Sequence, residues 1–414
     1  MRTRLSGARA VCAALVLAAA LPARADRLTI DQALRRALQR HPDVEVAAAD
    51  LEAAGGQVTA ARTRTYNPEL GVAAGPAWGG GDTVLDYELS LSQTFELGGK
   101  RSRRTDAARA RQEAALARLR WSREQVVARV RRAFAFALIE RQRLGVEVQA
   151  QNVADELRSA AAERLRLGAG TQLEVNVALA ATGRARHDRV DAERSYELAV
   201  VELSTAMAAP PEEVLDPVGD IGAFPVPPLQ EAAYVEQARR RRGDLAAAGH
   251  EREAAEAEVA LAGALGTPDL TVAVSYGRSE GTHIALVGIS MPIPIFNRNR
   301  GGRAAARAGL KRARLVEGST GREVERGVRA ALRAYAKARE SVEAFDREVV
   351  DRLDENLELA RESLRTGNIG LFEFNIVRRD LFETQLAYLD ALAEAADARF
   401  DLESAAAISL GGTP

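Results

Sequence analysis

The sequence has only one cysteine among its 414 residues, and that residue, Cys12, lies in an apolar run close to the N-terminus. If this run is removed on export, the mature chain has no disulfide, no thiol nucleophile and no cysteine metal ligand. Histidine is also scarce, with four residues spread along the chain. His250 and Glu253 could share one helix face, and we interpret them as a solvated pair on an Ala/Glu-rich helix. We therefore predict no metal site, no cofactor site and no catalytic site, and the protein is not expected to be an enzyme.

An excess of charge of one sign is missing as well. The formal net charge is -1, and aromatic residues make up only 5% of the chain. No basic patch with interleaved aromatic residues occurs, so nucleic acid is not an expected partner. Arginine-rich stretches such as residues 111–124 also carry acids, as solvated helices do. The glycine-rich segments 79–81 and 168–170 do not lie between a strand and a Lys-Ser/Thr helix start, so neither is a phosphate-binding loop.

The N-terminal segment has the three parts of a secretory signal peptide. Arginines precede an apolar run over residues 11–21, which is too short to span a bilayer, and the triplet Ala23-Arg24-Ala25 matches an A-x-A cleavage site. We predict a signal peptide over residues 1–25, with Asp26 as the mature N-terminus. An uncleaved anchor is the alternative. The residue before Cys12 is a valine rather than the small residue of a lipoprotein cleavage site, so lipidation is not expected.

Matching segments recur roughly 200 positions apart along the rest of the chain. They are NPEL (67–70) and TPDL (267–270), ERLRLGAGTQLEVN (163–176) and ESLRTGNIGLFEFN (362–375), and QALRRALQRHPDV (32–44) and AYVEQARRRRGDL (233–245). An apolar seam at coiled-coil-like spacing begins at Val127 in the first half and at Val328 in the second. These matches predict two tandem repeats, over residues 26–225 and 226–414.

Each repeat is predicted to contain a helix, a β-hairpin and a long helical hairpin. Asn67 and Thr267 each precede a proline and stop the leading helices, because the residue before a proline is pushed out of the α region. From Gly99 to Leu167 the composition predicts one helix of about 69 residues, roughly 100 Å long. A linker rich in Gly and Pro, residues 219–228, joins the repeats. Strands are predicted at about 69–78, 84–96, 269–277 and 283–292, where apolar and polar residues alternate.

The predicted strands pair an apolar face with a polar face. In the second strand, Leu89 and Leu91 alternate with Ser90 and Ser92. Strands of about nine or ten residues with aromatic ends are typical of the outer membrane. An ordinary half-buried sheet is the alternative, but no other segment supplies a core to face four such strands. The aromatic residues expected at the membrane interfaces are Trp78, Tyr87, Phe95 and Tyr276.

Four strands are too few to close a barrel. Open sheet edges are not tolerated in lipid, and the smallest bacterial barrels have eight strands. The chain must therefore oligomerise if its strands lie in a membrane. The residues alone leave open two copies with eight strands or three copies with twelve.

The repeat and its motifs resemble the TolC-type outer membrane efflux proteins. The resemblance lies in the signal peptide, NPEL before the first hairpin, QTFELGGKR after it, GISMPIPIFNRNRG at the matching place in the second repeat, and an L-x-x-G-x(5)-E-x-N turn in each. The stretches ELGGKR and PIPIFNRNRG are most similar to the branch associated with cobalt–zinc–cadmium export. The resemblance implies a mainly α protein with a membrane β-barrel contribution. In this family three copies form one barrel of twelve strands, which a long α-helical periplasmic tunnel continues.

The resemblance also implies roles for particular residues. Gly98 and Gly99 lie at the first junction between strand and tunnel, and Pro292 and Pro294 lie at the second. The turns between the long helices become periplasmic tips that close an aperture and meet an adaptor protein. At these tips the resemblance places Gly168, Glu174, Asn176, Gly367, Glu373 and Asn375.

Two acids at the tips carry the main functional expectation. In a trimer, Glu174 and Glu373 supply up to six carboxylates near one axis, and such a ring favours cations. The alternative is that both are surface acids that stabilise helix N-termini. Ile369 and Ile376 stand where some family members carry charged gating residues, so no salt-bridge lock is expected here.

The predicted function is the exit duct of a tripartite efflux system for heavy-metal cations. Its expected partners are two further copies of the chain, a periplasmic adaptor, an inner-membrane pump of the resistance–nodulation–division type, and outer-membrane lipid. A duct for drugs or organic solutes, or for type I protein secretion, is the alternative within the class. A periplasmic coiled-coil adaptor or structural protein is the alternative from another class.

Overall fold

The computed structural model describes residues 26–79, 82–220, 230–279, 282–345, 350 and 352–408. The predicted signal peptide and most of the predicted linker lie outside the described residues. The described strands are β1 (Asp26–Leu28), β2 (Glu69–Gly79), β3 (Asp82–Phe95), β4 (Leu215–Pro217), β5 (Leu270–Ser279) and β6 (Thr282–Ser290). The described helices are α1 (Ile30–Arg40), α2 (Pro42–Arg62), α3 (Lys100–Arg166), α4 (Gln172–Met207), α5 (Glu231–Arg241), α6 (Gly243–Ala264), α7 (Arg300–Glu343), α8 (Leu353–Thr366) and α9 (Leu371–Ala406).

The leading helix predicted for each repeat is in fact two helices. In the first repeat the break lies at His41, whose ψ of 124° is extended because Pro42 follows it. The buried His41 ring caps α2, since its Nδ1 accepts a hydrogen bond from the Asp43 N–H at 3.1 Å. The Thr29–Gln32 capping box begins α1.

A different cause produces the break in the second repeat. Arg242 is extended with ψ of 119°, and α6 begins at Gly243. A Cβ atom at Gly243 would lie 2.8 Å from the Cβ of Trp121, so this close approach to α3 requires glycine. The Arg242 guanidinium lies over the Trp121 ring, with Cζ 4.7 Å from its centroid. Trp121 therefore holds the leading helices of the second repeat against the long helix of the first.

The longest helix, α3, has 67 residues and follows the prediction. At 1.5 Å per residue it is about 100 Å long. Its predicted seam is buried at Val130 and Phe134, which form a core with Leu203 of α4. Further along, Val148 is 39% exposed and Val146 is buried instead, because a straight α-helix drifts from a 3.5-residue repeat. None of the described helices is long and apolar enough to cross a membrane.

The long helix of the second repeat is shorter than its counterpart. α7 has 44 residues and ends at Glu343, and the next described helix begins at Leu353. The predicted seam continued to Phe345 and Val349, of which Val349 lies outside the described residues. Phe345 lies beyond the helix end and packs edge-on against Tyr388 of α9, with ring centroids 5.7 Å apart. Phe345 is therefore held by an aromatic contact with Tyr388 rather than as part of the predicted helical seam.

Four strands form one antiparallel sheet in the order β2-β3-β5-β6, and β1 pairs with β4 separately. The first hairpin pairs Gly71 with Ser90, and the second pairs Thr271 with Ser290. The two hairpins therefore have the same register, 200 positions apart. The strands β3 and β5 join the repeats, with Thr94 opposite Thr271. β2 and β6 each have one neighbour within this sheet.

Candidate functional site

One face of the four-stranded sheet is apolar and exposed. A single row of paired residues crosses all four strands through Leu70, Leu91, Val274 and Val287. Each of these side chains is between 51% and 76% exposed. A contiguous apolar surface of this kind marks contact with lipid or with another protein.

The opposite face carries mainly small and polar side chains. Ser92, Ala273 and Gly288 form one row on this face. In the next row the hydroxyl oxygens of Thr94 and Thr271 lie 2.9 Å apart, within hydrogen-bond distance. The sheet thus separates an apolar surface from one that tolerates water.

The predicted interfacial aromatic residues lie near the two ends of the sheet. Tyr87 and Phe95 are separated by about 27 Å of extended β3, close to the roughly 25 Å apolar band of an outer-membrane barrel. Tyr276 lies opposite Leu89, near the level of Tyr87. The side chains of Tyr87, Phe95 and Tyr276 are between 37% and 48% exposed. Trp78 pairs with Thr83 close to the first hairpin turn.

The first junction between sheet and long helix requires left-handed backbone. Gly98 and Gly99 have φ of 73° and 70°, which side chains other than glycine adopt at a cost. A Cβ atom at Gly98 would also lie 3.0 Å from the Oγ1 of Thr267, whereas the space around Gly99 is open. Gly98 is therefore constrained twice, by its own backbone and by the second repeat.

Asp269 ties three segments together beside these glycines. Its Oδ1 accepts hydrogen bonds from the Lys100 ammonium at 2.7 Å and the Leu97 N–H at 3.0 Å. Its Oδ2 accepts one from the Tyr66 hydroxyl at 3.2 Å. The Lys100 and Asp269 side chains are only 7% and 15% exposed. Burial acts to raise the pKa of Asp269, but the contacts with Lys100 and Leu97 outweigh it, so the pKa is lowered and the carboxylate is ionised.

The second junction achieves the same change of direction with different residues. Pro292 and Pro294 lie in the segment between β6 and α7. Asn299, at the N-terminus of α7, has φ of 54° and takes the place of Gly99. Asparagine tolerates this conformation better than most residues. Its Nδ2 donates to the carbonyl of Ala262 at 2.9 Å, which fixes α7 against α6.

The first tip is a tight turn between α3 and α4. Gly168 has φ of 73°, and its N–H donates to the Leu165 carbonyl at 3.0 Å. The Thr171 N–H donates to Glu174 Oε2 at 2.8 Å, and the Glu174 N–H donates to Thr171 Oγ1 at 3.2 Å. These two bonds form a capping box at the start of α4.

The second tip repeats this arrangement without the hydroxyl. Gly367 has φ of 79°, and α9 begins after Gly370. The Gly370 N–H donates to Glu373 Oε2 at 2.9 Å. Glu174 and Glu373 therefore hold the same position in their return helices, where the helix dipole stabilises an acidic side chain. These contacts agree with the alternative role expected for both acids, which is to stabilise the helix N-termini.

The two predicted tip asparagines have different surroundings. Asn176 is exposed and accepts a hydrogen bond from Gln172 of its own helix at 3.1 Å. Asn375 accepts one from the buried Arg378 at 3.2 Å. Arg378 also donates to the Ala150 carbonyl of α3 at 3.3 Å. Asn375 thus supports the packing of α9 on α3, and Asn176 does not.

The tips also expose large apolar side chains, and the sequence analysis considered only one of them, Ile376, in connection with gating. Leu167 and Leu173 are 63% and 61% exposed, and Phe372 and Ile376 are 44% and 50% exposed. A signal was available, because Leu173 and Phe372 directly precede the two tip acids. Each tip therefore presents apolar side chains beside an acid.

The pair rejected as a metal site from the sequence lies on α6, where His250 is half-buried and Glu253 is exposed. His250 Nδ1 and Glu253 Oε2 are 3.2 Å apart. Among the described residues, no group of three or more His, Cys, Asp or Glu side chains is arranged to hold a metal ion.

Comparison with known proteins gives a consistent match along the chain. The family model described as outer membrane efflux protein matches residues 33–209 and again 234–407. Cobalt-zinc-cadmium resistance protein CzcC of Cupriavidus metallidurans is 24% identical over 372 residues, which cover 89% of this chain and 87% of CzcC. Nickel-cobalt-cadmium resistance protein NccC of Alcaligenes xylosoxydans xylosoxydans is 27% identical over 290 residues, covering 68% and 65%. The outer membrane protein VceC of Vibrio cholerae has the same fold, with a TM-score of 0.73 at 18% identity, covering 92% of this chain and 97% of VceC.

Proposed function

The chain belongs to the outer membrane efflux protein family, and we propose that it forms a homotrimeric exit duct for heavy-metal cations. Family membership confirms the resemblance found in the sequence and makes the protein an outer-membrane efflux channel rather than an enzyme. It also rules out the alternative of a periplasmic adaptor. The trimer, the partners and the exported solute are the parts that we propose.

The observation that carries the proposal is the open sheet at the base of the long helices. Its exposed apolar face suits lipid, and its small and polar face suits a water-filled lumen. Both outer strands keep an edge without a neighbour in the sheet. Since an open edge is not tolerated in lipid, further copies of the chain must supply the missing strands.

The number of copies follows from the size of the passage. Two copies would give eight strands, and the interior of such a barrel is filled by side chains or holds one small ligand. Three copies would give twelve strands and leave room for a solute to pass. The helices α3 and α4, with α7 to α9, then continue the barrel as a periplasmic tunnel.

We propose that the tips form the aperture of the tunnel and the contact with an adaptor protein. Exposed apolar side chains such as Leu173 and Phe372 are suited to the core of a protein interface. The carboxylates of Glu174 and Glu373 lie beside them and would give the aperture a negative potential. A periplasmic adaptor and an inner-membrane pump of the resistance–nodulation–division type would complete the assembly.

The proposed solute follows from the relatives and from the charge at the tips. CzcC and NccC are named for resistance to divalent metal cations. An acidic aperture favours such ions over anions. Organic solutes or a secreted protein would be the cargo of the alternative duct.

A tolerance assay in the native host tests the cargo. The gene is disrupted, and growth is measured in cobalt, zinc and cadmium salts and in a cationic organic dye. We expect several-fold lower metal tolerance with unchanged dye tolerance, restored by the intact gene and by a control with Glu253→Gln on the exposed part of α6. Loss of dye tolerance with unchanged metal tolerance would replace the proposed cargo with an organic one.

A further inference from the structure

The two outer strands of the sheet, β2 and β6, expose apolar side chains in different places. After β6 the chain runs through Met291, Ile293, Ile295 and Phe296, whose side chains are between 53% and 100% exposed. On the other edge, β2 exposes Val72 to 74%. An exposed apolar strand edge without a neighbour is a site where another chain can pair.

The contact between β3 and β5 shows how one repeat pairs with the other. The residues of the second hairpin have the same register as those of the first, 200 positions later. The long helices keep this offset, because α3 begins at Lys100 and α7 at Arg300. The residues that precede them, Gly99 and Asn299, are both left-handed. The free edge of β6 is therefore the structural counterpart of the β3 edge that β5 covers.

A buried ion pair closes the internal contact, and its counterparts are unpaired. Lys100 follows β3 and meets Asp269, which precedes β5, at 2.7 Å. The residues 200 positions away are Arg300, which follows β6, and Glu69, at the start of β2. Both are exposed, and neither side chain has a hydrogen bond or an ion pair among the described residues. Arg300 and Glu69 therefore provide a cation and an anion at opposite edges of the same sheet, at the positions that correspond to Lys100 and Asp269.

We propose that β6 of one protomer pairs with β2 of its partner in the register of the internal β3–β5 contact, and that Arg300 of one protomer forms an ion pair with Glu69 of the other. This deepens the proposed function and rests on it, because the partner is a second copy in the trimer. Ser90 lies opposite Ser275 in the internal contact. The same register places Ser290 opposite Gly75 across the interface.

At the proposed interface, the side chains suit a slightly larger distance between the two facing segments than the internal β3–β5 contact has. Inside the chain, Gly98 allows close approach to Thr267. The corresponding position before α7 is Arg298, whose larger side chain would hold the two segments further apart. Arg300 and Glu69 are each longer than the Lys100 and Asp269 that they replace. A longer ion pair therefore spans a longer distance.

Engineered cysteines test the register directly, because the only native cysteine is Cys12 in the predicted signal peptide. A chain with Gly75→Cys and Ser290→Cys is expected to form disulfides between copies, since opposite residues of antiparallel strands have Cα atoms about 4.5–5.5 Å apart. The control combines Gly71→Cys with Ser290→Cys, displaced by about 13 Å along the same face. Bands of linked dimers and trimers on non-reducing gels are expected for the first chain only.

Charge exchange tests the ion pair. Glu69→Arg and Arg300→Glu are each expected to lower the ratio of trimer to monomer on unboiled gels by about tenfold, because like charges across an interface weaken association by that factor or more. The double exchange is expected to restore the ratio. Glu52→Arg, on the exposed surface of α2, is the matched control and should leave the ratio unchanged.

The outcomes separate the inference from the proposed function. A trimer that links through the displaced cysteine pair, or whose charge-exchanged double variant is as weak as either single one, would overturn the proposed register and ion pair but leave the duct intact. Absence of any trimer in the unmodified protein would overturn the duct itself.

Discussion

The ammonium of Lys100 lies 2.7 Å from the carboxylate of Asp269, so that a residue from each repeat meets the other at the base of the sheet. Asp269→Asn would leave Lys100 buried without a counter-charge. Breaking a buried pair in this way costs about 3 kcal/mol. We expect a clear fall in the unfolding temperature of the detergent-extracted protein. The control is Asp50→Asn on the exposed face of α2, and equal unfolding temperatures for the two variants would contradict the structural role of Asp269.

The two junction glycines should respond unequally to alanine. Gly99→Ala imposes only the left-handed backbone on a side chain, at a cost of about 1–2 kcal/mol. Gly98→Ala adds a contact with Thr267, since the new Cβ would lie 3.0 Å from Oγ1. We therefore expect a larger loss of stability for Gly98→Ala, measured by thermal unfolding. A larger loss at Gly99 would mean that the junction has a different conformation.

His41 gives the protein a pH-dependent cap. Burial lowers its pKa below the ordinary histidine value of 6.5, the Asp43 carboxylate opposes this effect, and Arg129 reinforces it. Because the neutral ring is favoured in the fold, its contribution to stability is complete above pH 6.5 and is lost as the pH falls through the lowered pKa. His41→Asn keeps a side chain that caps helices but does not titrate.

We therefore expect the unfolding temperature of the unmodified protein to fall more steeply than that of His41→Asn as the pH is lowered from about 7.5 to 5.5. His187→Asn, on α4, is the matched control for loss of an imidazole. Parallel pH profiles for the unmodified protein and His41→Asn would show that the ring does not cap α2.

Substitutions can separate the capping role of the tip acids from their proposed role at the aperture. Glutamine at residues 174 and 373 can still accept the N-terminal hydrogen bond, so Glu174→Gln with Glu373→Gln should leave stability within about 0.5 kcal/mol. Alanine at the same positions removes the caps and should cost about 1 kcal/mol for each tip. If the tips form an acidic aperture, the glutamine variant should lose preference for cations in planar-bilayer reversal potentials. Unchanged selectivity would leave the acids with their capping role alone.

Much of this architecture could be predicted from the sequence, for reasons that particular residues show. The alternation from Tyr87 to Phe95 fixes which side chains share a face, and a strand with period 2 allows no other arrangement. The middle of the predicted seam, at Val130, Phe134 and Ala137, identifies the buried side of α3 because helical spacing repeats locally. The tip glycines Gly168 and Gly367 have positive φ, as turns between long helices require.

Other features depend on contacts between distant residues. The pairing of Lys100 with Asp269 joins residues 169 positions apart, and no local pattern encodes it. The break at Arg242 follows from the fit of Gly243 against Trp121, which only the packed helices create. On β6, Leu286 lies on the mainly polar face, so its alternation is a weaker guide than that of β3. The capping box of Thr171 and Glu174, by contrast, is local, because the S/T-x-x-E spacing in the sequence is enough to predict it.

The central claim is that the four strands complete their sheet in the outer membrane with strands from two further copies. The most direct test expresses the full-length chain in a Gram-negative host, separates the inner and outer membranes, and measures the native mass of the protein after detergent extraction without boiling. We predict recovery from the outer-membrane fraction with the mass of three copies. A soluble periplasmic monomer would contradict the account, because the exposed apolar face of the sheet would then never meet lipid.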